Sequence, residues 1–114
     1  MFARTSDGIT IVTLERIFGV ECGDALYRTV LDLLEDGQRA FIIDLAGVTR
    51  VDAAAVGELA RAFTTVRTNG GGLAVVVGCD QIRELLDVTR LTTFVPTFSS
   101  IGEASARLAP ITSC

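Results

Sequence analysis

At 114 residues the chain is long enough to bury one real core and too short for a second domain. Hydrophobic residues make up 49% and charged residues 21%, an ordinary globular balance that disfavours intrinsic disorder. The net charge of −4 argues against nucleic acid as a partner, because binding phosphates needs a basic footprint; protein or small-ligand partners are expected instead.

Phe2 to Ser6 and Ile9 to Leu14 flank Asp7-Gly8, a dipeptide suited to a two-residue hairpin turn, and predict two antiparallel strands. Arg4, Asp7 and Glu15 interrupt this region, so it lacks the apolar core of a cleaved signal. Glu15 to Gly23 reads as an irregular connection. From Asp24 to Asp36, Leu26, Val30, Leu33 and Leu34 fall at helical spacing, with Gly37 as the stop. Ala40 to Leu45 is an apolar strand covered on both faces. A central helix follows over about Ala53 to Thr68, with Val56, Leu59, Ala60, Phe63 and Val66 on one face and Glu58, Arg61, Thr65 and Thr68 elsewhere. Asn69 to Gly72 ends it, and Leu73 to Val77 is a second buried strand. Asp80 is the expected cap of a third helix through Thr89, with Ile82, Leu85 and Leu86 facing inward. Thr93 to Pro96 reads as a short edge strand. Ser100 and Glu103 have capping-box spacing and open a last helix with Ile101, Ala104 and Leu108 inward. The domain is thus expected over residues 1–109, with 110–114 as a frayed tail.

This order, β-β-α-β-α-β-α-β-α, predicts a single α/β sandwich with a mixed sheet and four helices, its parallel strands joined by right-handed crossovers. No run approaches the ~20 apolar residues of a membrane span. Cys22, Cys79 and Cys114 are odd in number and lack C-x-x-C spacing, which fits reduced thiols and a cytoplasmic location. There is no histidine, which removes the commonest general base and metal ligand. No nucleophile and base pair, metal cluster or cofactor fingerprint emerges, so neither catalysis nor a cofactor is expected.

The most informative stretch runs from Phe41 to Gly57, where an apolar strand turns into the central helix. Asp52 is placed to accept the unpaired N–H groups of the first helical turn, and Ala53, Ala54 and Ala55 continue the helix at low entropic cost. Asp44-Leu45-Ala46-Gly47-Val48-Thr49-Arg50-Val51-Asp52, followed by small residues, Val56 and Gly57, resembles the signature of STAS domains, the family of bacterial anti-sigma factor antagonists. Asn69 to Leu73 resembles the family's Gly-Gly before its central strand, and Ile82 to Leu91 resembles the segment where the family usually has Thr-Gly-Leu. The resemblance covers nearly the whole chain and implies the same fold and a non-enzymatic, protein-binding regulator.

In regulatory members the Asp is followed by Ser-Ser-Gly-Leu, and a partner kinase phosphorylates the second serine. Here Ala53, Ala54 and Ala55 match Ser-Ser-Gly, so no phosphorylation site is expected at Ala54. By resemblance the partner surface comprises Asp52, Ala53, Ala54, Ala55 and Val56, joined by Arg16 and Phe18. These two lie where relatives often carry Gly-x-Leu-Asp, against Arg16-Ile17-Phe18-Gly19 here. The implied partner is an anti-sigma factor of the serine-kinase type. A scaffold or adaptor in a stress-signalling assembly, or beside another STAS protein or the ATPase of a transport system, is the alternative, and a homo-oligomer is compatible with either. A small-ligand or nucleotide domain is a third class without a supporting motif.

Other candidates have plainer readings. Asp44 with Asp52 could suggest acid/base or metal chemistry, but two carboxylates make a poor site, and Asp44 is expected to bond nearby N–H groups. Thr49 is expected to stabilise its loop and Ser100 to cap a helix. Cys22 precedes a helix and reads as an incidental thiol, Cys79 as a packed one. Gly70 to Gly72 precedes a strand and is read only as a turn.

Overall fold

A computed structural model describes residues 2–6, 8–18, 25–93 and 95–112, with residues 16–18 and 107–112 described by their backbone only. Strands β1 (Phe2–Ser6) and β2 (Ile9–Phe18) pair antiparallel, with Ser6 facing Ile9; Asp7 of the expected turn lies outside the described residues. Gly8 sits there at φ 81°, a conformation that glycine adopts without the Cβ clash other residues suffer. The chain then alternates through α1 (Ala25–Glu35), β3 (Ala40–Val51), α2 (Ala53–Thr68), β4 (Gly72–Val77), α3 (Asp80–Val88), a 3-10 turn (Leu91–Thr93), β5 (Thr97–Phe98) and α4 (Ile101–Thr112). The five strands lie in the order β1-β2-β3-β4-β5, antiparallel at the first pair and parallel thereafter. This is the expected mixed α/β single domain.

Because each parallel strand is added on the same side of its predecessor, right-handed crossovers place α1, α2 and α3 on one face of the sheet. The main core forms there. Leu26, Val30 and Leu34 of α1, Leu59, Ala62, Phe63 and Val66 of α2, and Ile82 and Leu86 of α3 pack on Phe41, Ile43 and Leu45 of β3 and Leu73, Val75 and Val77 of β4. The alternate residues Ile42, Ala74 and Val76 face the other way, onto Ala104 of α4 with Phe98 and Ile101 beside it. Burial on both faces explains why Ala40 to Ile43 and Leu73 to Val77 read as unbroken apolar runs. Gly71 fits the return from α2 to β4 tightly: its neighbour Gly72 N–H donates to the Arg39 carbonyl at 2.8 Å, and a Cβ on Gly71 would collide with that same carbonyl.

Several expectations are corrected. The strand expected to end at Leu14 runs to Phe18, and the one expected to end at Leu45 runs to Val51, so Glu15 to Phe18 of the expected connection and the loop expected before Asp52 are paired strand, while the rest of that connection, residues 19–23, lies outside the described residues. Asp80 is not the cap of α3. It is already the first helical residue, and the extended cap residue is Cys79, whose side chain makes no capping bond. Thr93 closes the 3-10 turn, and the edge strand begins after Pro96, at Thr97. The last helix continues past Pro110 to Thr112. On α2, Ala62 and Glu58 are buried, while Val56 and Ala60 are only half-buried.

Candidate functional site

The extension of β3 builds the site. As far as Leu45 the strand is flanked by β2 and β4; beyond it only β2 remains as a described neighbour, paired Glu15 to Gly47, Arg16 to Val48, Ile17 to Arg50 and Phe18 to Val51. The register slips twice. Between the pairs Thr13–Asp44 and Glu15–Gly47, and again between Arg16–Val48 and Ile17–Arg50, β3 spends one residue more than β2, the arithmetic of a bulge. A regular strand would alternate Leu45, Gly47 and Thr49 toward the helices. The two extra residues turn Val48 inward instead, fully buried, and bring Val51 against the same cluster. Ala46, Gly47, Thr49 and Arg50 remain exposed.

This ribbon delivers the chain to Asp52 in an extended conformation, φ −111° and ψ −179°, as an N-cap requires. Asp52 Oδ1 accepts the Ala55 N–H at 3.0 Å, and the Asp52 carbonyl accepts the Ala55 and Val56 N–H groups at 3.1 and 3.2 Å. The carboxylate is therefore tied into the corner it helps to form. Ala53 and Ala54 occupy the first two helical positions with exposed methyl groups, followed by Gly57, also exposed. Ala55 is fully buried in the core and Val56 half-buried, so the accessible part of the predicted surface narrows to Asp52, Ala53 and Ala54 with an edge of Val56.

The backbone of Arg16 to Phe18 runs directly beside Val48 to Val51, which brings the two predicted patches together along one ribbon. The side chains of Arg16 and Phe18 lie outside the described residues. So do Cys22 and Cys114, while Cys79 is a half-buried free thiol.

The carboxylates Asp44 and Asp52 do not converge. They stand eight strand residues apart, roughly 25 Å at about 3.3 Å per residue, and Asp44 Oδ1 accepts the Ala46 N–H at 3.0 Å. Among the described residues no group of three or more His, Cys, Asp or Glu could hold a metal ion. Ser100 behaves as expected: its Oγ accepts the Glu103 N–H at 3.2 Å and contacts Glu103 Oε1 at 3.3 Å.

The helix pair beside the corner contains features absent from the sequence reading. Glu58, 5% exposed, directs Oε2 to the Tyr27 N–H at 3.0 Å and so caps the first turn of α1 from a neighbouring helix. Arg61 lies over the Tyr27 ring, 4.1 Å from its centroid, and the Tyr27 hydroxyl meets Thr65 Oγ1 at 3.2 Å. The one available signal was the three- and four-residue spacing of Glu58, Arg61 and Thr65; nothing local identified Tyr27 as their common neighbour.

The corner is thus a protruding ribbon, a capped helix start and two exposed methyl groups. Its described side chains include no group of three or more His, Cys, Asp or Glu that could hold a metal ion. No helix of the described residues is long and apolar enough to cross a membrane.

The model of the STAS domain matches residues 2–104. A search of curated protein sequences gave no match. The fold is similar to that of a Thermotoga maritima protein assigned as an anti-sigma factor antagonist, with a TM-score of 0.87 at 20% identity, covering 94% of this chain and 92% of that one. An anti-sigma factor antagonist from Mycobacterium paratuberculosis is similar at 0.85 and 19% identity, covering 95% and 92%. A sulfate transporter family protein from Wolinella succinogenes is similar at 0.83 and 18% identity, covering 97% and 93%. With the family model spanning most of the chain and the same fold recurring in these structures, the chain belongs to the STAS domain family.

Proposed function

We propose that this STAS domain is a non-enzymatic regulator of the anti-sigma factor antagonist kind, which binds its protein partner at the Asp52 corner and is not switched by phosphorylation there. The observation that carries this reading is the exposure of Ala53 and Ala54 at the start of α2. In a serine-bearing relative this position would offer a hydroxyl to a kinase, and a phosphate would add about two negative charges to the surface a partner must meet. A methyl group accepts no phosphoryl group. The complex is therefore held in the form corresponding to an unphosphorylated antagonist. The partner is a serine-kinase-type anti-sigma factor, whose capture frees a sigma factor for transcription in a bacterial cytoplasm. Arg16 and Phe18 join the surface because their backbone borders Val48 to Val51.

The similarity to a sulfate transporter family protein supports a second reading, an adaptor for a transport ATPase or another STAS protein, for which phosphorylation is dispensable.

Affinity purification from native extract, with and without ATP, separates the two. An anti-sigma kinase retained despite ATP supports the first, and a transport ATPase or other STAS proteins support the second. With a kinase partner in hand, Ala54→Ser is expected to become a phosphoryl acceptor while Ala54→Gly does not. Failure of Ala54→Ser with a kinase proven active on another substrate would show that more than a hydroxyl separates this corner from a phosphorylated one.

A further inference from the structure

Tyr27 occupies the third position of α1, and three side chains of α2 reach it from a single stripe. Glu58 holds its backbone N–H, Arg61 covers its ring and Thr65 meets its hydroxyl. The ring is half-buried and the arginine exposed. A guanidinium carbon 4.1 Å from the ring centroid is attracted to the ring's negative face, an interaction that does not consume its N–H donors. Among the described residues Arg61 forms no ion pair, and its contact is with the Tyr27 ring. Arg61 is thus, among the described residues, a cation held by a ring, with no carboxylate on its donors.

Its position matters. Gly57 follows Ala54 by three residues and Arg61 follows Gly57 by four, so Arg61 continues the exposed stripe of α2 about 10 Å along the axis from Ala54. Along the exposed positions Ala53, Ala54, Gly57, Arg61 and Thr64 it is the one charged side chain, because the nearby carboxylate of Glu58 is buried and engaged by α1. A partner helix or loop laid on the small residues would meet this cation next. An arginine already held by a ring loses less freedom on binding than a loose one, and its planar fork matches a carboxylate with two N–H···O bonds.

We propose that Arg61, laid over Tyr27, receives an aspartate or glutamate side chain of the protein partner that docks on Ala53 and Ala54. This extends, and rests on, the reading of the Asp52 corner as a partner surface. The test is calorimetric titration of the full chain with a purified serine-kinase-type anti-sigma factor, at low and high salt. Arg61→Gln is expected to weaken binding about tenfold, with a smaller loss at high salt because an exposed ion pair is screened. Arg61→Lys, which keeps the charge but not the fork, should recover part of that loss, and thermal unfolding of both variants reports whether the fold is intact. If the partner binds the native chain and Ala54→Trp abolishes binding while Arg61→Gln binds as the native chain does, this proposal falls and the corner stands. A loss that is equal at both salt concentrations also overturns it, since packing and not charge would be responsible. No binding by the native chain sinks the corner reading and this proposal with it.

Discussion

Arg90 is the one described non-glycine residue with positive φ, at 63°, just past the end of α3. Its N–H donates to the Asp87 carbonyl at 3.0 Å, which closes the helix, and its own carbonyl accepts the Thr93 N–H. In this left-handed conformation glycine is the residue that carries no Cβ penalty. A side chain in the left-handed region costs about 1–2 kcal/mol through Cβ crowding. Glycine removes that cost but loses roughly 0.5–1 kcal/mol of extra chain entropy on folding. The first effect outweighs the second, so Arg90→Gly should stabilise the domain by about 0.5–1 kcal/mol, read as a higher urea midpoint with an unchanged slope. A lower midpoint would mean that the exposed Arg90 side chain makes a contribution larger than the strain it carries.

The elements are joined by contacts that no single helix or strand could show alone. Glu58 caps α1 from α2, which satisfies a donor in the first turn that the helix itself cannot pair. Truncation by Glu58→Ala removes the acceptor and leaves a cavity, and is expected to cost roughly 1–3 kcal/mol. Glu58→Gln keeps an oxygen in place and should retain most of the stability. Equal losses for the two would show that the carboxylate charge, not its capping oxygen, holds the helices together. The extended part of β3 offers a second test at this scale. Phe41 to Leu45 are flanked by two strands, whereas Gly47 to Val51 have only β2 as a described neighbour, and two-stranded ribbons are marginal by themselves. Amide hydrogen exchange should therefore be faster over Gly47 to Val51 than over Phe41 to Leu45, although both belong to one strand. Uniform protection would mean that Val48 and Val51, packed on the core, suffice to anchor the ribbon.

At the scale of the whole molecule, the exposed Ala54 lets surface chemistry change without disturbing the core. The Ala54→Ser variant proposed above should accordingly keep its unfolding free energy to within the roughly 0.5 kcal/mol typical of surface substitutions, so that any gain of phosphorylation reports on the site and not on altered folding. The amino-acid order alone determined the sequence of elements, the mixed α/β class, the antiparallel first pair of strands, the Asp52 cap and the Ser100–Glu103 cap. These depend on local conformation, hydrophobic periodicity and hydrogen bonds spanning three or four residues, all of which are written in consecutive positions. The continuation of β2 and β3 past Leu14 and Leu45, the burial of Glu58 and Ala55, and the Arg61–Tyr27 stack were decided by tertiary structure. Polar residues such as Glu15, Thr49 and Arg50 hide a strand that needs a neighbour to hold it, and a glutamate reads as solvent-facing until a helix start 31 residues away in the chain supplies its donor. Partners distant in sequence become neighbours only when the sheet and its crossovers close around the core.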